Sequence, residues 1–178
     1  YPLGHIQSQG RTHGVMAKVV GDTIIPGIPL WAYEAWVARG VDWLAMSEDL
    51  PRAENRVTID AQGEPRLEYR ANNVRPHQEL VREAKRMLHR LGYWKVMAHS
   101  LLIRNTTHQC GTMCFGHDPR TSVLDAWCRT HDVPNLFVVD ASFFPSSAAV
   151  NPGLTIIAQA LRVADHIRQR ELGETRTS

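Results

Sequence analysis

Leu136-Phe137-Val138-Val139-Asp140-Ala141-Ser142-Phe143-Phe144-Pro145, followed shortly by Asn151-Pro152-Gly153-Leu154-Thr155, is the stretch that decides how this chain is read. Its first four residues form an unbroken apolar run between Asn135 and Asp140, the pattern of a strand buried on both faces. A loop of small residues comes next. Beyond it Leu154, Ile157, Ala158, Leu161 and Ala164 recur at helical spacing, with Asn151 placed to cap the helix and Pro152 at its first position. Ligands in open α/β sheets collect beyond the carboxyl ends of strands, so the turn at Asp140-Ala141 is a candidate binding element.

Working outward, Tyr1 to Pro29 is broken by glycines and prolines and reads as loops and short strands. Val41 to Ser47 is a clearer strand, and Arg56-Val57-Thr58-Ile59 and Arg66-Leu67-Glu68-Tyr69 flank Gln62-Gly63 as a hairpin. From His77 to Leu91 the residues Leu80, Ala84, Met87, Leu88 and Leu91 follow a helical period, and Gly92 stands where a left-handed cap belongs. Met97 to Ile103 reads as a short strand, ahead of a polar, Gly-containing stretch from Asn105 to Pro119. The segment from Glu171 to Ser178 reads as a frayed polar tail.

At 178 residues, 43% hydrophobic and 21% charged, the composition is that of a globular chain with a core of its own. A net charge of +2 with mixed signs gives no basic surface for nucleic acid, and no apolar run is long enough to span a membrane. Cys110, Cys114 and Cys128 are an odd, clustered set, which suits reduced thiols in a cytoplasmic protein better than a disulfide framework. The chain begins without Met and shows no signal-peptide pattern at Tyr1 to Gly10, so any targeting signal would belong to a segment ahead of it.

Three groups of residues carry possible chemistry: His108-Gln109-Cys110-Gly111-Thr112, the Asp140-Ala141-Ser142 turn, and Asn151-Pro152-Gly153. Taken singly, each has an ordinary explanation: a structural hydrogen-bonding histidine, an Asp that bonds its own turn, and a helix cap. Ser142 with Asp140 and a histidine suggests a hydrolase triad, but no Gly-x-Ser-x-Gly elbow accompanies it. His108, Cys110, Cys114 and His117 offer zinc-type ligands for a metal-stabilised, non-enzymatic module, though structural zinc sites usually split their ligands into two separated pairs.

Taken in order, these groups have more meaning. The sequence resembles the C-terminal region of the glucose-methanol-choline (GMC) oxidoreductases, with a His shortly before Gly-Thr, a hydrophobic strand ending in Asp-Ala-Ser, and Asn-Pro opening a helix. Ser47-Glu48-Asp49-Leu50-Pro51, Asn55-Arg56-Val57-Thr58 and Ser122-Val123-Leu124-Asp125 extend the likeness, which runs from about Trp43 to Ile167. It implies an FAD-dependent enzyme that oxidises a small-molecule alcohol to an aldehyde or ketone by hydride transfer. His108 would be the base that accepts the hydroxyl proton, and Asn151 its partner at the substrate oxygen. An imidazole suits that task because its ordinary pKa of ~6.5 keeps both protonation states accessible near neutrality. Asp140, Ala141, Asn151, Pro152 and Gly153 would meet the flavin, with the helix N-terminus contributing partial positive charge.

The resemblance implies an α+β fold: an antiparallel substrate-domain sheet with helices, followed by the last strand and helix of a Rossmann-like FAD domain. Residues 1–134 would belong to the substrate domain with its His108 loop, 135–170 to the flavin domain, and 171–178 to the tail. The Gly-x-Gly-x-x-Gly that grips a dinucleotide is absent from the sequence. The chain is therefore expected to lack an N-terminal FAD-binding segment, supplied by a longer chain or a separate polypeptide, and to be inactive alone; a catalytically silent fragment is the third alternative.

Overall fold

The computed structural model describes residues 4–22, 25–100 and 107–173. In order, the chain forms β1 (His5–Gly10), α1 (Gly14–Gly21), α2 (Leu30–Val37), β2 (Asp42–Met46), β3 (Arg56–Ile59), β4 (Pro65–Glu68), α3 (Val74–Arg90) and α4 (Gly153–His166). The strands make two antiparallel pairs, β1 with β2 and β3 with β4, so the architecture is α+β. No described helix is long and apolar enough to cross a membrane.

The first thirty residues depart from the expectation of loops and short strands, because α1 is a helix bracketed by the glycines that had read as breakers. Those glycines serve close packing instead. A Cβ on Gly14 would lie 2.4 Å from Cγ of Glu34, and one on Gly21 would lie 2.3 Å from the Tyr33 hydroxyl. The absence of a side chain at both ends therefore lets α1 lie against α2 and bury Tyr33.

β2 and the β3–β4 hairpin form where the alternating and β-branched residues placed them. The hairpin turn is held by Asp60, whose side chain accepts the N–H groups of Gln62 and Glu64, both at 2.9 Å, while Gly63 takes φ 85°. α3 buries Leu80, Ala84 and Leu88 and packs toward β2. It stops at Gly92, φ 95°, where the Gly92 N–H reaches His89 O (3.0 Å) and the Tyr93 N–H reaches Leu88 O (3.1 Å). That pair of bonds satisfies carbonyls that the last helical turn otherwise leaves unpaired.

A second core gathers Leu124, Cys128, Phe143 and Val163, with Met113, Phe137, Ile156 and Ile167 packed around them. Two expectations fail here. Leu136–Val139 is not a ladder strand: Phe137 bridges Arg129 antiparallel at a single residue, flanked by bonds from Thr130 N–H to Leu136 O and Val138 N–H to Cys128 O, each 2.9 Å. A strand buried on both faces needs neighbours along its whole length, and among the described residues only this short stretch pairs with it. Of the expected Rossmann remnant the described residues therefore show the helix, α4, and not the strand. The second failure concerns α4, whose predicted inward residues Leu154, Ile157 and Leu161 are 85%, 59% and 67% exposed, while Val163 on another side is 2% exposed. The 97–100 part of the expected Met97–Ile103 strand is irregular, and its remainder lies outside the described residues. Of the tail, residues 174–178 also lie outside them, and Ile167–Glu171 continues α4 as a π turn.

Candidate active site

His108 sits at the head of a loop in the left-handed region, φ 65°. For a residue with a Cβ that conformation costs about 1–2 kcal/mol, so the surrounding loop must hold it. The hold comes from backbone pairing with the turn after Asp140: the Met113 N–H donates to Ser142 O (3.1 Å) and the Phe115 N–H to Phe143 O (3.4 Å). The Cys114 thiol adds contacts to the carbonyls of Gly111 (3.2 Å) and Phe144 (3.3 Å). Phe143, 3% exposed, anchors the other side of this pairing in the core.

A cavity of about 60 Å³ opens beside His108. His108 and Cys110 form one wall, Phe144 and Ser146 to Ala148 a second, and Val150, Asn151, Pro152 and Thr155 at the start of α4 a third. The volume accommodates a few water-sized groups, which is the scale of a hydroxyl-bearing carbon and its neighbours. The Ser146–Ser147 wall is tied to the segment after β2. Ser146 donates to Glu48 Oε1 (2.9 Å), and Asp49 and Ser147 exchange backbone bonds of 3.1 and 3.2 Å. Asp49 also accepts the Tyr69 hydroxyl (2.8 Å). Burial first, then that hydrogen bond and the Asp49 charge, push the Tyr69 phenol up to about 12. Tyr69 therefore stays a neutral donor across the working pH range.

Among the residues singled out from sequence, the cavity brings together His108, Asn151 and Pro152; Asp140, Ala141 and Gly153 do not line it. Asp140 instead caps the short 3-10 turn Ala141–Phe143, accepting the Ser142 N–H (2.8 Å) and the Ser142 hydroxyl. Those bonds hold its carboxyl below the usual carboxylate range. Asn151 is not the helix cap. The cap position is Pro152, whose carbonyl accepts the Ile156 N–H at 3.0 Å, and the helix opens at Gly153, one residue later than expected. Released from capping, the Asn151 amide donates through Nδ2 to Gln7 Oε1 at 3.1 Å.

The proposed zinc set is split. Cys110 faces the cavity with His108, whereas the Cys114 thiol contacts backbone carbonyls and His117 does not line the cavity. Burial pushes both thiols up, with Asp49 adding to the effect at Cys110, so both favour the protonated form. Among the described residues no three His, Cys, Asp or Glu side chains group as a metal site would require.

Gln7, the Ser146–Ser147 wall and Tyr69 escaped the sequence reading as site residues. Nothing local marks Gln7, since its relation to the site is a contact across 144 positions of chain. Ser47-Glu48-Asp49 had drawn notice as a motif, and its structural role is to knit the cavity wall, the base of α3 and the β3–β4 hairpin. A wider groove of about 590 Å³ runs along that hairpin between Arg52 to Arg56 and Glu68 to Arg70. It is open and lined by exposed charged side chains, and it lacks the histidine and helix terminus that meet in the smaller cavity.

Residues 51–160 match the family profile described as GMC oxidoreductase. The chain is 37% identical over 134 residues to a 2-methyl-1,2-propanediol dehydrogenase of Mycolicibacterium austroafricanum, covering 69% of this chain and 24% of that protein. It is 36% identical over 143 residues to a fructose dehydrogenase large subunit of Gluconobacter japonicus, covering 73% and 25%. It is also 36% identical over 126 residues to a paromamine 6'-oxidase of Streptomyces fradiae, covering 65% and 23%. The chain thus spans about a quarter of the length of these curated relatives.

Proposed function

The chain belongs to the GMC oxidoreductase family, and from that premise we propose that it forms the substrate-facing C-terminal part of an FAD-dependent enzyme oxidising an alcohol or sugar hydroxyl to a carbonyl. The observation that carries this reading is the meeting of His108, Asn151 and the opening of α4 around one cavity. Members of the family are generally FAD-dependent flavoproteins, and the bound flavin supplies the hydride acceptor.

The residues present suit the reacting end of such a group. Small side chains at Ser146 to Ala148 leave room beside His108, and a Cβ placed on Gly153 would meet nothing within 4 Å. They do not suit its dinucleotide end, for which the sequence holds no Gly-x-Gly-x-x-Gly; that grip belongs to a part of the protein other than these residues. In this reading residues 1–134 serve the substrate side and 135–170 the flavin side, although the buried cluster of Leu124, Cys128, Phe143 and Val163 crosses that line.

The chemistry assigned to the chain is proton handling and orientation. The His108 imidazole takes the proton from the substrate hydroxyl oxygen as the adjacent C–H leaves with its electron pair, so the C–O bond becomes C=O. Asn151 hydrogen-bonds the same oxygen and orients it. The N–H groups of Gly153, Leu154 and Thr155 precede the first intrahelical bond of α4 and bring partial positive charge to the cavity edge, favouring negative charge there by about 0.3–1 kcal/mol. Phe144, Ala148 and Val150 give the cavity an apolar lining beside the reacting carbon.

The test is anaerobic stopped-flow reduction of the flavin-loaded protein by a short diol or ketohexose, with flavin occupancy measured in each variant. His108→Ala is expected to slow reduction by ~10²- to 10⁴-fold, the usual contribution of a general base, and Asn151→Ala by less. Parent-like rates for His108→Ala at equal flavin occupancy would leave His108 a structural residue and remove the proposal's base.

A further inference from the structure

We infer that Gln7 is a positioning residue: from β1 it holds the Asn151 amide in the orientation used in the cavity. The inference rests on the proposed role of Asn151 and adds a residue outside the matched 51–160 stretch. Asn151 is exposed, and its side chain makes no capping bond. An asparagine in that situation would turn freely about its side-chain torsions and present either its N–H or its carbonyl to a ligand. The single bond from Nδ2 to Gln7 Oε1, 3.1 Å, restrains it.

The residue that carries the acceptor is placed by backbone pairing. Gln7 lies opposite Leu44 within the β1–β2 ladder, between the Ile6–Ala45 and Ser8–Trp43 pairs, and is half-buried. Its position is therefore set by a sheet that does not depend on α4. A carboxamide has two N–H donors and one carbonyl. With one N–H committed to Gln7 Oε1, the second N–H and Oδ1 remain for the substrate oxygen, and turning the Asn151 amide over would require the Gln7 amide to turn with it. The bond therefore restrains the plane in which the Asn151 amide meets the substrate.

The experiment compares Gln7→Leu, Gln7→Glu, Asn151→Ala and the Gln7→Leu/Asn151→Ala double variant in the flavin-loaded protein, measuring kcat, KM and Tm. A parallel readout follows the Nδ2 proton resonances of Asn151 in ¹⁵N-labelled protein. Removing one neutral hydrogen bond is expected to lower kcat about fivefold, with a smaller change in KM. Gln7→Glu, which keeps an acceptor oxygen and cannot donate, should recover most of that loss. Gln7→Leu should add nothing in the Asn151→Ala background, and the Asn151 Nδ2 protons should shift and exchange faster with water in Gln7→Leu alone.

Parent-like kcat in Gln7→Leu, while Asn151→Ala is slow, would overturn the inference and leave the role of Asn151 standing. Parent-like kcat in Asn151→Ala would overturn the role of Asn151 itself. Equal losses in Gln7→Leu and Gln7→Glu with a shared fall in Tm would show Gln7 to be a structural tie between β1 and α4, and would also overturn the inference.

Discussion

α3 and α4 carry the same helical spacing of apolar residues, yet the chain buries the stripe of one and exposes the stripe of the other. In α3, Leu80, Ala84 and Leu88 are each at most 8% exposed, and the rest of the surface holds Arg75, Glu79, Arg82, Glu83 and Arg86. Two exposed pairs, Glu79–Arg82 and Glu83–Arg86, decorate that outer surface and add little to stability. α4 is different: between Gly153 and His166 its only ionised side chains are Arg162 and Asp165. Its Ile156 and Val163 side packs on the core, and its Leu154, Ile157 and Leu161 side faces outward. A helix with a single apolar stripe has one possible inner face, whereas a helix apolar on several sides is suited to burial on several sides. Periodicity alone therefore identifies the packed face only when charges occupy the others.

The sharpest way to break this comparison is to truncate a leucine on each helix. Leu88→Ala, at a site 5% exposed, should cost about 2–5 kcal/mol in urea unfolding, because the cavity left in α3's contact closes only partly. A cost below 1 kcal/mol would mean that α3 is not a core helix. An intermediate effect belongs to Ser47→Ala, which removes the Ser47 Oγ to His77 Nδ1 hydrogen bond (3.0 Å) joining the end of β2 to α3. It should lower stability by about 1 kcal/mol and leave flavin reduction untouched. A large loss of rate at unchanged flavin occupancy would move His77 from scaffold to chemistry. The smallest effect is expected from Leu161→Ala, within roughly 0.5 kcal/mol by the same unfolding assay, since that side chain is 67% exposed. A cost matching that of Leu88→Ala would show the outer face of α4 to be covered in the protein as measured, and repeating the pair of variants in the flavin-loaded protein locates the cover.

The same contrast runs through the site. The order of His108, Asp140 and Asn151 was visible in the sequence because each lies in a short motif whose neighbours are adjacent in the chain. The contacts that Asp140 and Asn151 make were not. Asp140 turned out to serve its own turn through Ser142, the ordinary role of an Asp at that position. Asn151 lost its capping role to Pro152, a shift of one residue that freed its amide for Gln7. α1 had a readable signal, since Val15, Met16, Val19 and Val20 follow a helical spacing, but Gly14 and Gly21 obscured it. Their function was steric fit against Glu34 and Tyr33, a property of the partner helix and not of α1 itself.

By itself the sequence determined what depends on neighbours along the chain: the β3–β4 hairpin with its Asp60–Gly63 turn, the period of α3 and its stop at Gly92, and the ordered motifs that mark the family. Local sterics and hydrogen bonds act over three to five residues, so their signature is written in adjacent letters. Only the tertiary structure decided which side of α4 is covered, that Leu136–Val139 pairs at one residue, and that Gln7 bonds the Asn151 amide. Those outcomes depend on which distant segment supplies the complementary surface or acceptor, and an apolar run or an amide side chain is equally ready for many partners.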